Sequence, residues 1–88
     1  MEIELTKKFG KQIEKCQDYS ILVRLSKVID GILKAGRFSE IKSIKKLKGH
    51  NNFYRLKIGD YRIGLVFKNN TVIFAAFDHR SNKYKYFP

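Results

Sequence analysis

Four basic residues in the second half of the chain have types and spacing that suit the binding of phosphate. Arg55 and Lys57 are separated by one residue, Arg62 follows five residues later, and Arg80 comes after an alternating apolar stretch. Guanidinium groups bind phosphate through charge-assisted paired hydrogen bonds, and a cation beside a reacting phosphate stabilises its transition state. Residues 53–80 are therefore the candidate segment for a site that binds or cleaves a nucleic acid.

Two turns predict how these residues are arranged in a sheet. Gly59-Asp60 suits a type II′ hairpin and Asn69-Asn70 a type I′ hairpin, because glycine and asparagine accept positive φ angles. The first turn pairs Ile58 with Tyr61, Lys57 with Arg62, Leu56 with Ile63, and Arg55 with Gly64. The second turn pairs Leu65 with Phe74 and Ile63 with Ala76.

Alternation along these strands separates an apolar face from a cationic one. The apolar face, which helices should cover, collects Tyr54, Leu56, Ile58, Tyr61, Ile63, Leu65, Phe67, Val72, Phe74 and Ala76. The other face holds Arg55, Lys57 and Arg62. Like charges opposite each other cost about 0.2–1 kcal/mol, so stability does not favour Lys57 against Arg62, whereas a bound anion would reverse the interaction. Exposure of these cations for solubility alone is the alternative.

The rest of the chain supplies the elements that must position this sheet. Residues 3–5 form a short strand, and Thr6 caps a helix with Phe9, Ile13 and Cys16 on one side. Asp18 or Ser20 caps a longer helix that ends at Gly36, with an apolar stripe of Leu22, Leu25, Val28, Ile29, Ile32 and Leu33. Residues 37–52 are predicted to be a loop with a basic rim. The predicted fold is α+β, a single domain over residues 1–88 with an N-terminal strand and a helical hairpin packed on one face of a small antiparallel sheet.

Composition limits the class of partner. Nineteen Lys and Arg against eight Asp and Glu give a net charge of +11, which predicts a polyanion or an acidic protein as partner. The single cysteine excludes an internal disulfide and a multi-cysteine metal site, and it suits a reducing compartment. The longest apolar run, residues 72–77, is far too short to span a membrane. We predict a cytoplasmic protein with no membrane association.

Three motifs resemble a known family. They are K-L-K-G at residues 46–49, Y-R-x-x-x-G-D-Y-R-I at residues 54–63 and H-R-x-x-x-Y at residues 79–84. Together they resemble the C-terminal half of RelE/ParE-superfamily toxins of bacterial type II toxin–antitoxin systems. The resemblance implies a small antiparallel sheet with an N-terminal helical hairpin, in agreement with the fold predicted from alternation.

For the RelE branch, the resemblance implies a ribosome-dependent endoribonuclease that cuts mRNA without a metal or other cofactor, by attack of the 2′-hydroxyl on the adjacent phosphate. The implied catalytic residues are Arg55, Lys57, Arg62, Arg80 and Tyr84. Arg55 and Arg62 would hold the phosphate, Arg80 would assist the leaving 5′-oxygen, and Lys57 would accept the 2′-hydroxyl proton. Tyr84 and His79 are alternative proton carriers, and Tyr86 competes with Tyr84. The candidate nucleic-acid-binding residues are Lys45, Lys46, Lys48, His79 and Tyr86.

Two other functions are compatible with the same sequence. The ParE branch shares the fold and poisons DNA gyrase without nuclease activity, and a binding module with no activity of its own is the third possibility. The implied partners are a cognate acidic antitoxin, in a higher-order hetero-oligomer, together with the ribosome and mRNA.

Overall fold

The computed structural model describes residues 1–41, 44–49 and 51–82, and these residues form two helices packed on a five-stranded sheet. The elements in chain order are β1 (Glu2–Leu5), α1 (Lys7–Glu14), α2 (Tyr19–Lys34), a 3-10 turn (Phe38–Glu40), β2 (Ile44–Lys46), β3 (Phe53–Ile58), β4 (Tyr61–Lys68), β5 (Thr71–His79) and a second 3-10 turn (Arg80–Asn82). The strand order is β1-β5-β4-β3-β2. The predicted α+β architecture is confirmed, with one refinement. Strands β2 to β5 are antiparallel neighbours, whereas β1 pairs with β5 in parallel.

Both helices begin at the predicted caps. Thr6 Oγ1 accepts a hydrogen bond from the Phe9 amide at 3.1 Å, and Asp18 Oδ1 accepts one from the Ile21 amide at 3.3 Å. The Ser20 hydroxyl also donates to Asp18, and these bonds lower the pKa of the Asp18 carboxyl. No helix within the described residues is long and apolar enough to cross a bilayer.

The core lies between the helices and the predicted apolar face of the sheet. Phe9 of α1 is 0% exposed, and its ring makes edge contacts with Phe74 and Phe77 at centroid distances of 5.3 and 5.9 Å. From α2, the buried residues are Ile21, Leu25 and Ile32. Leu33, which the apolar stripe included, is 52% exposed instead, because it lies about 100° around the helix from Ile32.

The register of the first hairpin is confirmed in full, but the second contains a β-bulge. Leu65 pairs with Phe74 as predicted, whereas the predicted pair of Ile63 with Ala76 is wrong, because Ile63 pairs with Phe77 and Gly64 with Ala76. Ala75 is the extra residue. One added residue reverses the alternation, so Ala76 falls on the face opposite the predicted one and Phe77 faces the helices.

Contacts from the N-terminal segment hold the bulge in place. The Thr6 amide donates to the Phe74 carbonyl at 3.1 Å, and the Thr6 hydroxyl lies 3.3 Å from the carbonyl oxygens of both Phe74 and Ala75. Further along β5, the Phe77 amide donates to Gln12 Oε1 at 2.9 Å. Strand β1 ends at Leu5, so these two side chains bond the part of the β5 edge that β1 no longer covers.

The segment predicted as a loop contains a strand and a packed aromatic residue. Ile44–Lys46 forms β2, the edge strand beside β3, and its two lysines gave no strand signal because lysine is depleted in strands yet common at sheet edges. Phe38 stacks on Phe67 with a centroid distance of 4.2 Å and makes an edge contact with Tyr54 at 4.7 Å. The segment therefore covers the part of the apolar face that carries Tyr54 and Phe67.

Candidate phosphate-binding face

The side of the sheet away from the helices brings four cations together. We call the surface formed by Lys45, Arg55, Lys57 and Arg62 the cationic face. Strand pairing places Lys45 opposite Arg55 and Lys57 opposite Arg62. Two neighbouring cross-strand rows therefore carry two positive charges each.

Small residues form the floor beside these charges. Arg55 lies opposite Gly64, and Gly64 lies opposite Ala76 on the next strand. Both small residues are buried, Ala76 with 1% of its surface exposed, so neighbouring groups cover this part of the sheet backbone.

The β5 bulge adds an acid that the sequence did not reveal. With the shifted register, Asp78 lies directly opposite Arg62, so the second row reads Lys57, Arg62, Asp78 across three strands. An unbroken register would have placed Phe77 there. The only local sign in the sequence is the pair of small residues Ala75-Ala76, which interrupts the alternation of large side chains.

Arg80 lies just beyond the end of β5 and contacts the β3–β4 turn. Its amide donates to the Asp60 carbonyl at 2.7 Å, and its Nε lies 3.6 Å from Asp60 Oδ1. The two side chains are 66% and 63% exposed. Ion pairs this exposed contribute about 0–1 kcal/mol, so Asp60 holds the Arg80 side chain only weakly.

Other predicted site residues lie elsewhere. His79 pairs with Tyr61 on the helix side of the sheet, and its Nδ1 lies 3.0 Å from Ser81 Oγ. Lys46 pairs with Tyr54, on the same helix side, and Lys48 is exposed in the turn after β2. Tyr84 and Tyr86 lie outside the described residues. The structure thus brings Lys45 onto the cationic face and separates Lys46 and His79 from it.

The His79 side of the sheet borders an open cleft of about 330 Å³, lined by Gln12, Lys15, Cys16, Tyr61, Phe77, Asp78 and His79. Tyr61 stacks on Phe77 at 4.9 Å and meets the His79 ring edge-on at 5.2 Å. A hydrogen bond with the Cys16 thiol raises the pKa of the Tyr61 hydroxyl, and burial of the hydroxyl raises it further.

Comparison with known proteins identifies the family. The family model described as "ParE toxin of type II toxin-antitoxin system, parDE" matches residues 3–84, nearly the whole chain. The chain belongs to the ParE/RelE family of type II toxins. Toxin RelE3 of Methanocaldococcus jannaschii is 34% identical over 89 residues, which cover 100% of both chains.

Solved structures agree with this membership. The RelB–RelE antitoxin–toxin complex from Methanococcus jannaschii matches with a TM-score of 0.82 and 32% identity, covering 97% of this toxin and 99% of that chain. The intact RelBE complex from E. coli matches with a TM-score of 0.69 over 89% of this toxin and 94% of that chain, and its 17% identity shows the shared fold alone. This toxin is therefore RelE-like. Because archaeal proteins are among these relatives, family membership does not establish the bacterial source that the resemblance implied.

Proposed function

We propose that this toxin is a ribosome-dependent mRNA endoribonuclease that works without a metal, as a single domain of residues 1–88. The observation that carries the proposal is the placement of Lys57 opposite Arg62 and beside Arg55, on a face that the helices leave open. This arrangement costs folding energy when no anion is bound and gains energy when a phosphate lies over it. The relative named Toxin RelE3 supports the RelE branch.

The proposed reaction is an internal transfer at phosphorus. The ribose 2′-oxygen attacks the adjacent phosphorus as its proton leaves, and the bond from phosphorus to the 5′-oxygen breaks, giving a 2′,3′-cyclic phosphate and a 5′-hydroxyl. Arg55 and Arg62 hold the non-bridging oxygens as charge develops on them. Lys57 accepts the 2′-hydroxyl proton after it has released its own ammonium proton to solvent, and Arg80 stabilises the leaving 5′-oxygen.

Tyr84 is the alternative proton carrier to Lys57, with Tyr86 as the competing choice, and the 5′-oxygen takes up a proton from the same carrier or from solvent. His79 is the less favoured carrier, because it lies on the helix side of the sheet, away from Arg62. Lys45 adds positive charge on the cationic face, and Lys46 and Lys48, which lie off that face, contact RNA phosphates beyond the site.

The proposed partners follow from charge and from the relatives. A net charge of +11 favours binding to the ribosome and to mRNA. The relatives from M. jannaschii and E. coli were solved with antitoxins, and we propose that a cognate acidic antitoxin binds this toxin in a higher-order complex and covers the cationic face.

The test is cleavage of messages in a translating extract, with message ends mapped by primer extension. Arg62→Ala should lower the cleavage rate by about 10² to 10³, as the loss of one transition-state donor does. Arg37→Ala is the matched control, because Arg37 is an exposed arginine whose side chain makes no capping hydrogen bond. Unchanged cleavage by the Arg62 variant would overturn the assignment.

Inhibition of DNA gyrase is the second candidate function, because the matching family model is described by its ParE toxins. The same induction experiment distinguishes the two functions. New message ends within translated codons support the nuclease, whereas accumulation of DNA breaks with intact messages supports the gyrase inhibitor.

A further inference from the structure

Asp78 is an acidic residue on a surface otherwise suited to phosphate. It lies directly opposite Arg62 in the β4–β5 pair. Residues opposite each other in an antiparallel pair have Cβ atoms about 4.5–5.5 Å apart, within reach of an aspartate and an arginine. A carboxylate that bonds a guanidinium uses the same forked donors that a phosphate needs. Asp78 is therefore a potential competitor of the substrate.

Gln12 of α1 bonds this carboxylate from the edge of the sheet. Gln12 Oε1 accepts the Phe77 amide hydrogen at 2.9 Å, and Gln12 Nε2 donates to Asp78 Oδ1 at 2.9 Å. Only the amide oxygen can accept from the Phe77 N–H, so the NH₂ group is directed at Asp78. The two bonds together hold the half-buried Asp78 side chain toward α1.

We propose that Gln12 is a positioning residue that restrains the Asp78 carboxylate at the sheet edge, so that phosphate rather than Asp78 is the anion that Arg62 binds when RNA is present. This role rests on the proposed RNA-cleaving function. It adds Gln12, a residue of α1 that does not itself contact the substrate, to the residues on which RNA binding depends. The bulge makes the restraint necessary, because it is the shifted register that places an acid opposite Arg62.

Two substitutions of Gln12 separate its contacts. Gln12→Glu keeps an acceptor for the Phe77 amide but loses the donor to Asp78, and its negative charge repels the Asp78 carboxylate. Gln12→Met keeps a similar volume without added charge and loses both bonds. Each is combined with Asp78→Asn, which removes the competing charge. Gln17→Glu is the matched control for charge, because Gln17 is exposed and lies five residues along the chain.

The readout is the affinity for a single-stranded RNA oligonucleotide with 2′-O-methyl groups, measured by fluorescence anisotropy at low salt. Its 2′-oxygens cannot attack, so the assay reports binding alone. Both Gln12 variants should bind about tenfold more weakly, the scale of one hydrogen bond to a charged group. Adding Asp78→Asn should restore RNA affinity to within about twofold of wild type. The Gln17→Glu control should also bind RNA within about twofold of wild type. Gln12→Met should lower the Tm with or without Asp78→Asn, because the Phe77 amide stays unbonded.

Equal affinity of the Gln12 variants and wild type would overturn the inference, as would a loss of affinity that Asp78→Asn does not restore. The second result would mean that Gln12 acts only by bonding the Phe77 backbone. Failure of the proposed function is a separate result, because it appears as wild-type protein that leaves messages intact in the translating extract. Wild-type protein that binds no RNA at low salt would overturn both.

Discussion

Substitution of Lys57 by glutamine tests whether the cationic face is kept at the expense of stability. Lys57 is exposed and lies opposite Arg62, and like charges in this position cost about 0.2–1 kcal/mol. Asp78 on the far side of Arg62 offsets part of this repulsion. We therefore expect Lys57→Gln to raise the free energy of unfolding by about 0.2–0.5 kcal/mol at physiological salt, while cleavage falls.

The expected change in Tm follows from the size of the chain. For 60–100 residues, 1 kcal/mol shifts the Tm by about 4–8 °C, so the variant should melt about 1–4 °C higher than wild type. The gain should grow at 10 mM salt, where the Debye length is about 30 Å, and shrink at 1 M salt, where it is about 3 Å.

Thermal unfolding followed by circular dichroism at both salt concentrations measures this gain. Lys68→Gln is the control, because Lys68 is an exposed lysine at the end of β4 that lies opposite the uncharged Thr71. A Lys57→Gln variant that melts at or below the wild-type temperature at low salt, or whose gain does not depend on salt, would refute a net repulsion between Lys57 and Arg62.

Four further substitutions test the supporting structure. Phe9→Ala removes a ring with no exposed surface and should cost about 3–5 kcal/mol in urea unfolding; a cost below about 1.5 kcal/mol would contradict the described core. Gly31→Ala should stabilise α2 by about 1 kcal/mol, because the added Cβ meets nothing within 4 Å. Gly59→Ala should instead lower the Tm, because the φ angle of Gly59 is +56° and the added Cβ would lie 3.0 Å from Ile21 Cδ1. Cys16→Ala should bring the raised pKa of Tyr61 back toward its usual value, measured by absorbance at 295 nm with Tyr61→Phe to assign the signal. As pH rises, the Tyr61 hydroxyl loses its proton in the unfolded wild-type chain before it does so in the folded one. The free energy of unfolding should therefore fall as pH rises above about 10, and it should fall less steeply in the Cys16 variant.

The parts of the fold that were predicted correctly are those that short stretches of sequence determine. Gly59, Asn69 and Asn70 all adopt positive φ angles, and these turn residues were enough to place Lys57 opposite Arg62. Thr6 and Asp18 cap the helices because the capping bond spans only three residues.

The parts that were missed depend on distant contacts. The bulge at Ala75 is held by Thr6 and Gln12, which are far away in sequence, so no local pattern announces it. The arrangement of Arg55, Lys57 and Arg62 was therefore predictable, whereas the position of Asp78 opposite Arg62 was not. Strand β2 was missed for a related reason, since Lys45 and Lys46 become strand residues only because β3 offers them an edge.

The pairing of β1 with β5 delays folding of the toxin until late in its synthesis. Glu2, at the start of the chain, lies beside Thr71, and Phe9 is buried only when Phe74 and Phe77 are in place. At about 5–20 residues per second, the ribosome needs several seconds to make the chain, and the core cannot close until β5 has emerged. On the proposed function, the nascent chain should therefore be harmless to the ribosome that makes it, and a cognate antitoxin should meet it before the cationic face is complete.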